Sequence, residues 1–134
     1  MQDRPDALEL LNAVRAFLEE HVVPALDGTR RFHARVAANV LAIVGRELTF
    51  GEEALRAEWA RLGTLLGDPS PSPEDGAELL DAVRRRNELL AARIRAGDSD
   101  VGAWRAEVLA HLRATSTERL AIANPKYAAP RSRG

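Results

Sequence analysis

The chain has 134 residues, 29% of them charged and 46% hydrophobic, with a formal net charge of −1 and no cysteine. That balance gives one globular domain with an ordinary core. It excludes a disulfide framework, a thiol nucleophile and a cysteine-ligated metal, and a charge so near zero excludes the fold as a whole from binding nucleic acid or a membrane surface.

Helical periodicity runs through nearly the whole sequence, and no segment alternates as a strand would. The first predicted helix spans residues 5–23, capped by Asp3, with Leu10, Leu11, Val14, Phe17, Leu18 and Val22 on one face at about 100° per residue. Pro24 and Asp27-Gly28 then mark a turn. A second helix is expected from Thr29 or Arg30 to Leu48. Phe32, Val36, Val40, Leu41, Ile43, Val44 and Leu48 cover more than half of it, which predicts a central helix. Beside that arc, Ala34, Ala38 and Gly45 form a strip of small residues open to close approach by another helix.

Thr49 and Glu52 have the spacing of a capping box, so a third helix is expected over residues 50–66, with Leu55, Trp59, Leu62 and Leu66 as its apolar stripe and Gly67 at its end. Asp68-Pro69-Ser70-Pro71-Ser72-Pro73 reads as a semi-rigid surface connector. A fourth helix over 74–96 turns Leu79, Leu80, Val83, Leu90 and Ile94 inward, and Gly97 ends it. A fifth starts near Ser99 or Asp100 and runs to Ala123, with Trp104, Val108, Leu112 and Ile122 on one face, until Asn124-Pro125 stops it. The expected architecture is all-α: a single-domain bundle of about five mostly antiparallel helices over residues 1–127, followed by a flexible tail, 128–134.

Polar side chains inside apolar arcs are the informative exceptions, because each needs a partner when buried. His21, His33 and His111 all qualify. No two of them stand three or four residues apart, so one helix cannot present a ligand pair, and no metal is expected. Glu47 falls in the arc of the second helix near its C-terminal end, where a carboxylate opposes the helix dipole. Arg119, on the arc of the fifth helix, is the cationic partner this reading assigns to it. Asn87 lies inside the arc of the fourth helix. Thus His33, Glu47, Asn87 and Arg119 form the candidate buried polar network. Arg35, Asn39 and Arg46, with Arg31, make a polar stripe down the second helix, a candidate anion site or seat for the C-terminal segment. The Arg84-Arg85-Arg86 run is read as solvated surface, since successive helical residues point in different directions.

Several chemistries leave no trace. There is no Gly-rich phosphate loop, no Gly-x-Ser-x-Gly elbow, no His-Glu-x-x-His or Glu-x-x-His pair and no Asp-rich calcium loop. Aromatics, at 4%, are too few for base-stacking platforms. The N-terminus lacks the pattern of a signal peptide and no segment is long and apolar enough to span a bilayer, so a cytoplasmic location is expected.

Three runs carry a family resemblance: Arg4-Pro5-Asp6-Ala7-Leu8-Glu9-Leu10-Leu11 with Val14-Arg15-Ala16-Phe17-Leu18; Pro24-Ala25-Leu26-Asp27-Gly28 with Phe32-His33-Ala34-Arg35-Val36-Ala37-Ala38-Asn39; and Arg119-Leu120-Ala121-Ile122-Ala123-Asn124-Pro125-Lys126-Tyr127. Together they resemble a family of small bacterial proteins of unknown function, encoded near aminoglycoside-phosphotransferase-like kinases and acyl-CoA dehydrogenases. The resemblance spans most of the chain and is weakest between Gly51 and Gly97. It implies no catalytic residue. It implies a context: an accessory to a phosphotransferase-like kinase or an acyl-CoA dehydrogenase. His33, Arg35, Asn39 and Arg119 lie in its runs, and Asn124 or Tyr127 folding back onto Arg35 or Asn39 would join the ends of the chain. The expectation is therefore a helical accessory protein without enzymatic activity or cofactor, with a homodimer possible. The alternative is a small ligand-binding module or enzyme for an acyl-CoA-type or phosphorylated metabolite, with Arg35, Asn39, Arg46, Asn124 and Tyr127 as binding residues.

Overall fold

Asp6, not Asp3, opens the first helix: its carboxylate accepts the Glu9 N–H at 2.8 Å, and the Glu9 side chain returns to the Asp6 N–H. This reciprocal pairing satisfies two of the N–H groups that a helix start leaves bare. The computed structural model describes residues 3–128, so the expected tail lies, but for its first residue, outside the described residues. In chain order the helices are α1 (Ala7–Phe17), α2 (Gly28–Leu66), α3 (Gly76–Arg95), α4 (Ala103–Ala123) and α5 (Pro125–Ala128). The fold is all-α, with no strand among the described residues.

The first helix is shorter than its periodicity predicts. After Phe17 the chain widens into a π turn, Leu18–Val22, where the Val23 N–H bonds back to the Leu18 carbonyl, and then tightens into a 3-10 turn, Val23–Ala25. Pro24 is the physical reason, since it has no N–H to continue the ladder and its ring crowds the preceding turn. Arg31 ties this exit to the start of α2, its Nε donating to the carbonyls of Leu26 (2.6 Å) and Val23 (3.3 Å).

The second and third predicted helices are one. α2 runs unbroken for 39 residues and is the element common to both halves of the chain. The capping box expected at Thr49 and Glu52 does not form; the Thr49 hydroxyl instead donates to the Gly45 carbonyl within the helix. Without a proline, nothing between Leu48 and Phe50 forces an end, and the lone Gly51 costs only about 1 kcal/mol in a helix.

The chain divides into two compact units, Met1–Gly51 and Glu52–Gly134. Unit 2 holds the core: Leu62 and Leu65 of α2, Leu79, Val83 and Leu90 of α3, and Val108 of α4, edged by Leu55, Trp59, Leu66, Ile94 and Trp104. These are largely the predicted inward faces. Leu80 and Leu112 are exceptions and stay exposed. Asp75 caps α3 through the Glu78 N–H, Gly97 ends it at φ +91°, and Gly102 at φ +92° turns the chain into α4.

Unit 1 is built differently. The close approach expected at the small-residue strip occurs: Ala38 and Gly45 are buried, and the Leu8 methyl packs where a Gly45 Cβ would project. The large apolar arcs, however, face outward. α1 buries no residue, and Leu10, Val14 and Phe17 are exposed. On α2, Phe32, Val36, Val40, Val44 and Leu48 are 62, 43, 49, 40 and 57% exposed. Two helices meeting along a strip of small side chains leave their bulky arcs without cover.

Candidate functional site

Two groups of polar side chains stand out, one in each unit. In unit 1, Arg35, Asn39 and Arg46 do lie together, as their spacing on one helix requires. With Arg15 and Glu19 from the α1 side, and with Val23, Ala38 and Ala42, they line an open groove of about 470 Å³. Arg15 Nε is sealed from solvent and has no hydrogen-bond partner among the described residues. Three guanidinium groups and one carboxylate line this wall. Of the C-terminal candidates, Asn124 ends α4 and its carbonyl accepts the Tyr127 N–H, while the Tyr127 side chain is 70% exposed. Arg31 also leaves the stripe, committed to the turn before α2.

The predicted buried network assembles in unit 2 around a different acid. Glu58, 4% exposed, accepts a hydrogen bond from Asn87 Nδ2 at 3.0 Å and has the Arg119 guanidinium 3.6 Å away. Arg119 therefore pairs with Glu58, not with Glu47. Glu47 is exposed, and its carboxylate lies over Gly51, where a Cβ would come within 2.6 Å of it. His33 is exposed as well and belongs to no buried network. Glu58 falls between Leu62 and Leu65 on the helical wheel, so its place in an apolar arc was readable, but the expected stripe of Leu55, Trp59, Leu62 and Leu66 omitted Leu65 and left Glu58 at its edge.

A second cluster joins α2 to α4. Arg61 forms a two-pronged pair with Glu118, both bonds 2.9 Å, and also donates to Thr115 Oγ1 and to His111 Nδ1 at 3.3 Å. Because Nδ1 accepts, the buried His111 ring is held neutral with its proton on Nε2. Desolvation, and secondly the Arg61 charge, push its pKa below the ordinary histidine value. His21, by contrast, is exposed and touches the Phe17 ring. Among the described residues no three His, Asp or Glu side chains gather in a way that could hold a metal ion.

Arg86 corrects the reading of the basic run. Arg84 and Arg85 are exposed, but Arg86 is 4% exposed and stacks on the Trp59 ring, 3.2 Å from its centroid. It donates to the carbonyls of Trp59 (2.9 Å) and Asp68 (3.1 Å) and meets the Asp68 carboxylate at 3.2 Å. It thus anchors the proline-rich connector over the end of α2. On the wheel Arg86 is within about 20° of Leu79, the signal that the run of three arginines masked. The Arg56, Trp59 and Arg86 side chains and the connector line an open cleft of about 710 Å³, and Trp59 Nε1 and Arg56 are both spent on connector oxygens.

These features define an all-α domain with a structural polar network in one unit and an open, arginine-lined groove and bare apolar faces in the other. The chain belongs to the family described as "Domain of unknown function (DUF6285)", which matches residues 24–127. No curated protein and no solved structure matches it significantly. No helix among the described residues is long and apolar enough to cross a membrane.

Proposed function

We propose that this is a helical accessory protein without enzymatic activity, and that unit 1 is the part that associates with other polypeptides. The observation that carries the reading is the outward orientation of the apolar arcs of α1 and α2, which leaves nine large apolar side chains 40% or more exposed in one unit. The resemblance to proteins encoded beside phosphotransferase-like kinases and acyl-CoA dehydrogenases supplies the partner class. The test is affinity purification from the host, wild type beside Val14→Asp/Phe17→Asp. A kinase or acyl-CoA dehydrogenase held by the wild type and lost by the variant supports the reading. Equal recovery from both, or recovery of neither enzyme, contradicts it.

A second reading has its own observation. The groove is lined by Arg15, Arg35, Asn39 and Arg46, and Arg15 Nε is a donor without an acceptor among the described residues. This supports binding of a phosphorylated or acyl-CoA-type metabolite through its phosphate oxygens. Calorimetric titration with pyrophosphate tests it. Arg35→Ala should weaken binding at least tenfold, and an unchanged isotherm would remove the groove from consideration.

A further inference from the structure

We propose that a second copy of this chain covers the exposed face of α2, packed antiparallel about a two-fold axis at Val40. The proposal rests on the reading of unit 1 as the associating part and names the occupant of one of its two apolar faces.

His33, Val36, Val40, Ile43 and Glu47 follow one another at intervals of three, four, three and four residues, the pattern that keeps side chains on one seam between two helices. Phe32, Val44 and Leu48 flank the seam. His33 and Glu47, both exposed, stand equally far from Val40, one on each side, and each lies within about 20° of it around the helix. The seam therefore has an apolar middle, an imidazole at one end and a carboxylate at the other.

That arrangement is complementary to itself in one direction only. Side by side in parallel, two such helices would place Glu47 against the second copy's Glu47 and His33 against the second copy's His33. In the antiparallel sense each His33 meets the second copy's Glu47, each Val36 meets the second copy's Val44, and Val40 meets itself on the axis. The slow drift of a heptad seam, about 20° per seven residues, matches the crossing angle of about 20° at which helices pack along such a seam. The small valines in the middle allow close approach, while Phe32 and Leu48 close the two ends.

The area agrees. At their observed exposures Phe32, Val36, Val40, Val44 and Leu48 present roughly 400 Å² of apolar surface, and His33 and Glu47 bring the face to roughly 600 Å² per copy. Doubled, that is about 1,200 Å², the lower end for a specific interface, which points to micromolar dissociation. The symmetric pairing is isologous and closes on itself, so it gives dimers and not filaments. It also leaves the Leu10, Val14 and Phe17 face of α1 for a different polypeptide.

The experiment combines cross-linking with charge exchange. The chain has no cysteine, so Val40→Cys introduces a single thiol on the proposed axis, and Ala92→Cys on exposed α3 serves as its control. Mild oxidation should convert Val40→Cys to a reducible covalent dimer at least tenfold faster than Ala92→Cys. In sedimentation velocity, Glu47→Lys and His33→Glu should each weaken the dimer at least tenfold, and the two combined should restore it, with circular dichroism confirming helicity throughout. A monomeric wild type at about 100 µM, equal cross-linking of both thiols, or a double variant no better than the singles would overturn the proposal. A monomeric wild type that still holds a kinase or dehydrogenase through Val14 and Phe17 would overturn this inference alone and leave the accessory reading intact.

Discussion

Replacing Arg86 probes the link between the connector and the core of unit 2. Arg86→Ala removes two charge-assisted hydrogen bonds to the carbonyls of Trp59 and Asp68, each worth about 1.5–3 kcal/mol, and a desolvated stack on Trp59 worth about 2 kcal/mol. The Asp68 carboxylate is half exposed, so its ion pair adds little. Against these stands the desolvation cost of a buried guanidinium, which the substitution relieves. The net loss should be about 3 kcal/mol, a large share of the 5–15 kcal/mol typical of a domain. Arg86→Met keeps the stem on Trp59 and should lose about 2 kcal/mol. Lysine cannot serve both carbonyls with its single ammonium while stacking, so Arg86→Lys should not restore wild-type stability. Urea unfolding followed by tryptophan fluorescence and by helical circular dichroism reads all three. A loss below about 1 kcal/mol for Arg86→Ala, or a lysine variant as stable as wild type, would refute the anchoring role.

Two glycines of α2 should respond to alanine with opposite sign. A Cβ at Gly63 would lie 2.7 Å from the Asp68 carbonyl oxygen and 2.9 Å from Arg86 Nη1, so Gly63→Ala should destabilise despite the better helix propensity of alanine. At Gly45 the nearest atom is a mobile Leu8 methyl at 3.4 Å, so Gly45→Ala should stabilise by up to about 1 kcal/mol, and thermal melts of the two variants compare them directly. His111 predicts a pH dependence. Its folded pKa lies below the unfolded value, so its neutral state favours folding above about pH 6.5, and that contribution is lost as pH falls and the unfolded chain takes up the proton. Urea midpoints measured from about pH 8 to pH 5 should fall for wild type more steeply than for His111→Gln, and parallel curves would rule out the assignment.

How far the sequence reveals this protein differs between its units. In unit 2 the stripes of Leu55, Trp59 and Leu62, of Leu79, Val83 and Leu90, and of Trp104 and Val108 meet as their periodicity requires, because each arc has another to face. In unit 1 the same logic turns the arcs of α1 and α2 inward, yet the helices meet on Ala38 and Gly45. Periodicity identifies an apolar face but not what covers it. The break expected at Thr49 failed for a local reason: a capping-box pattern inside a helix can be satisfied by a hydroxyl bonding back to the preceding turn. The buried acid Glu58 was missed for another reason: Leu65 was left out of the apolar stripe that, once completed, brackets it. The groove residues Arg35, Asn39 and Arg46 were legible because one helix fixes their spacing. Arg15 was not, since it joins them only through the packing of α1 on α2.

The pairing of two copies through the α2 face of unit 1 is tested most directly by sedimentation velocity over about 1–100 µM. The account predicts that wild type shifts from monomer to dimer over that range, and that Val40→Asp, equally helical, stays monomeric. A wild-type chain that sediments as a monomer throughout, or a Val40→Asp variant that dimerises as wild type does, would contradict it.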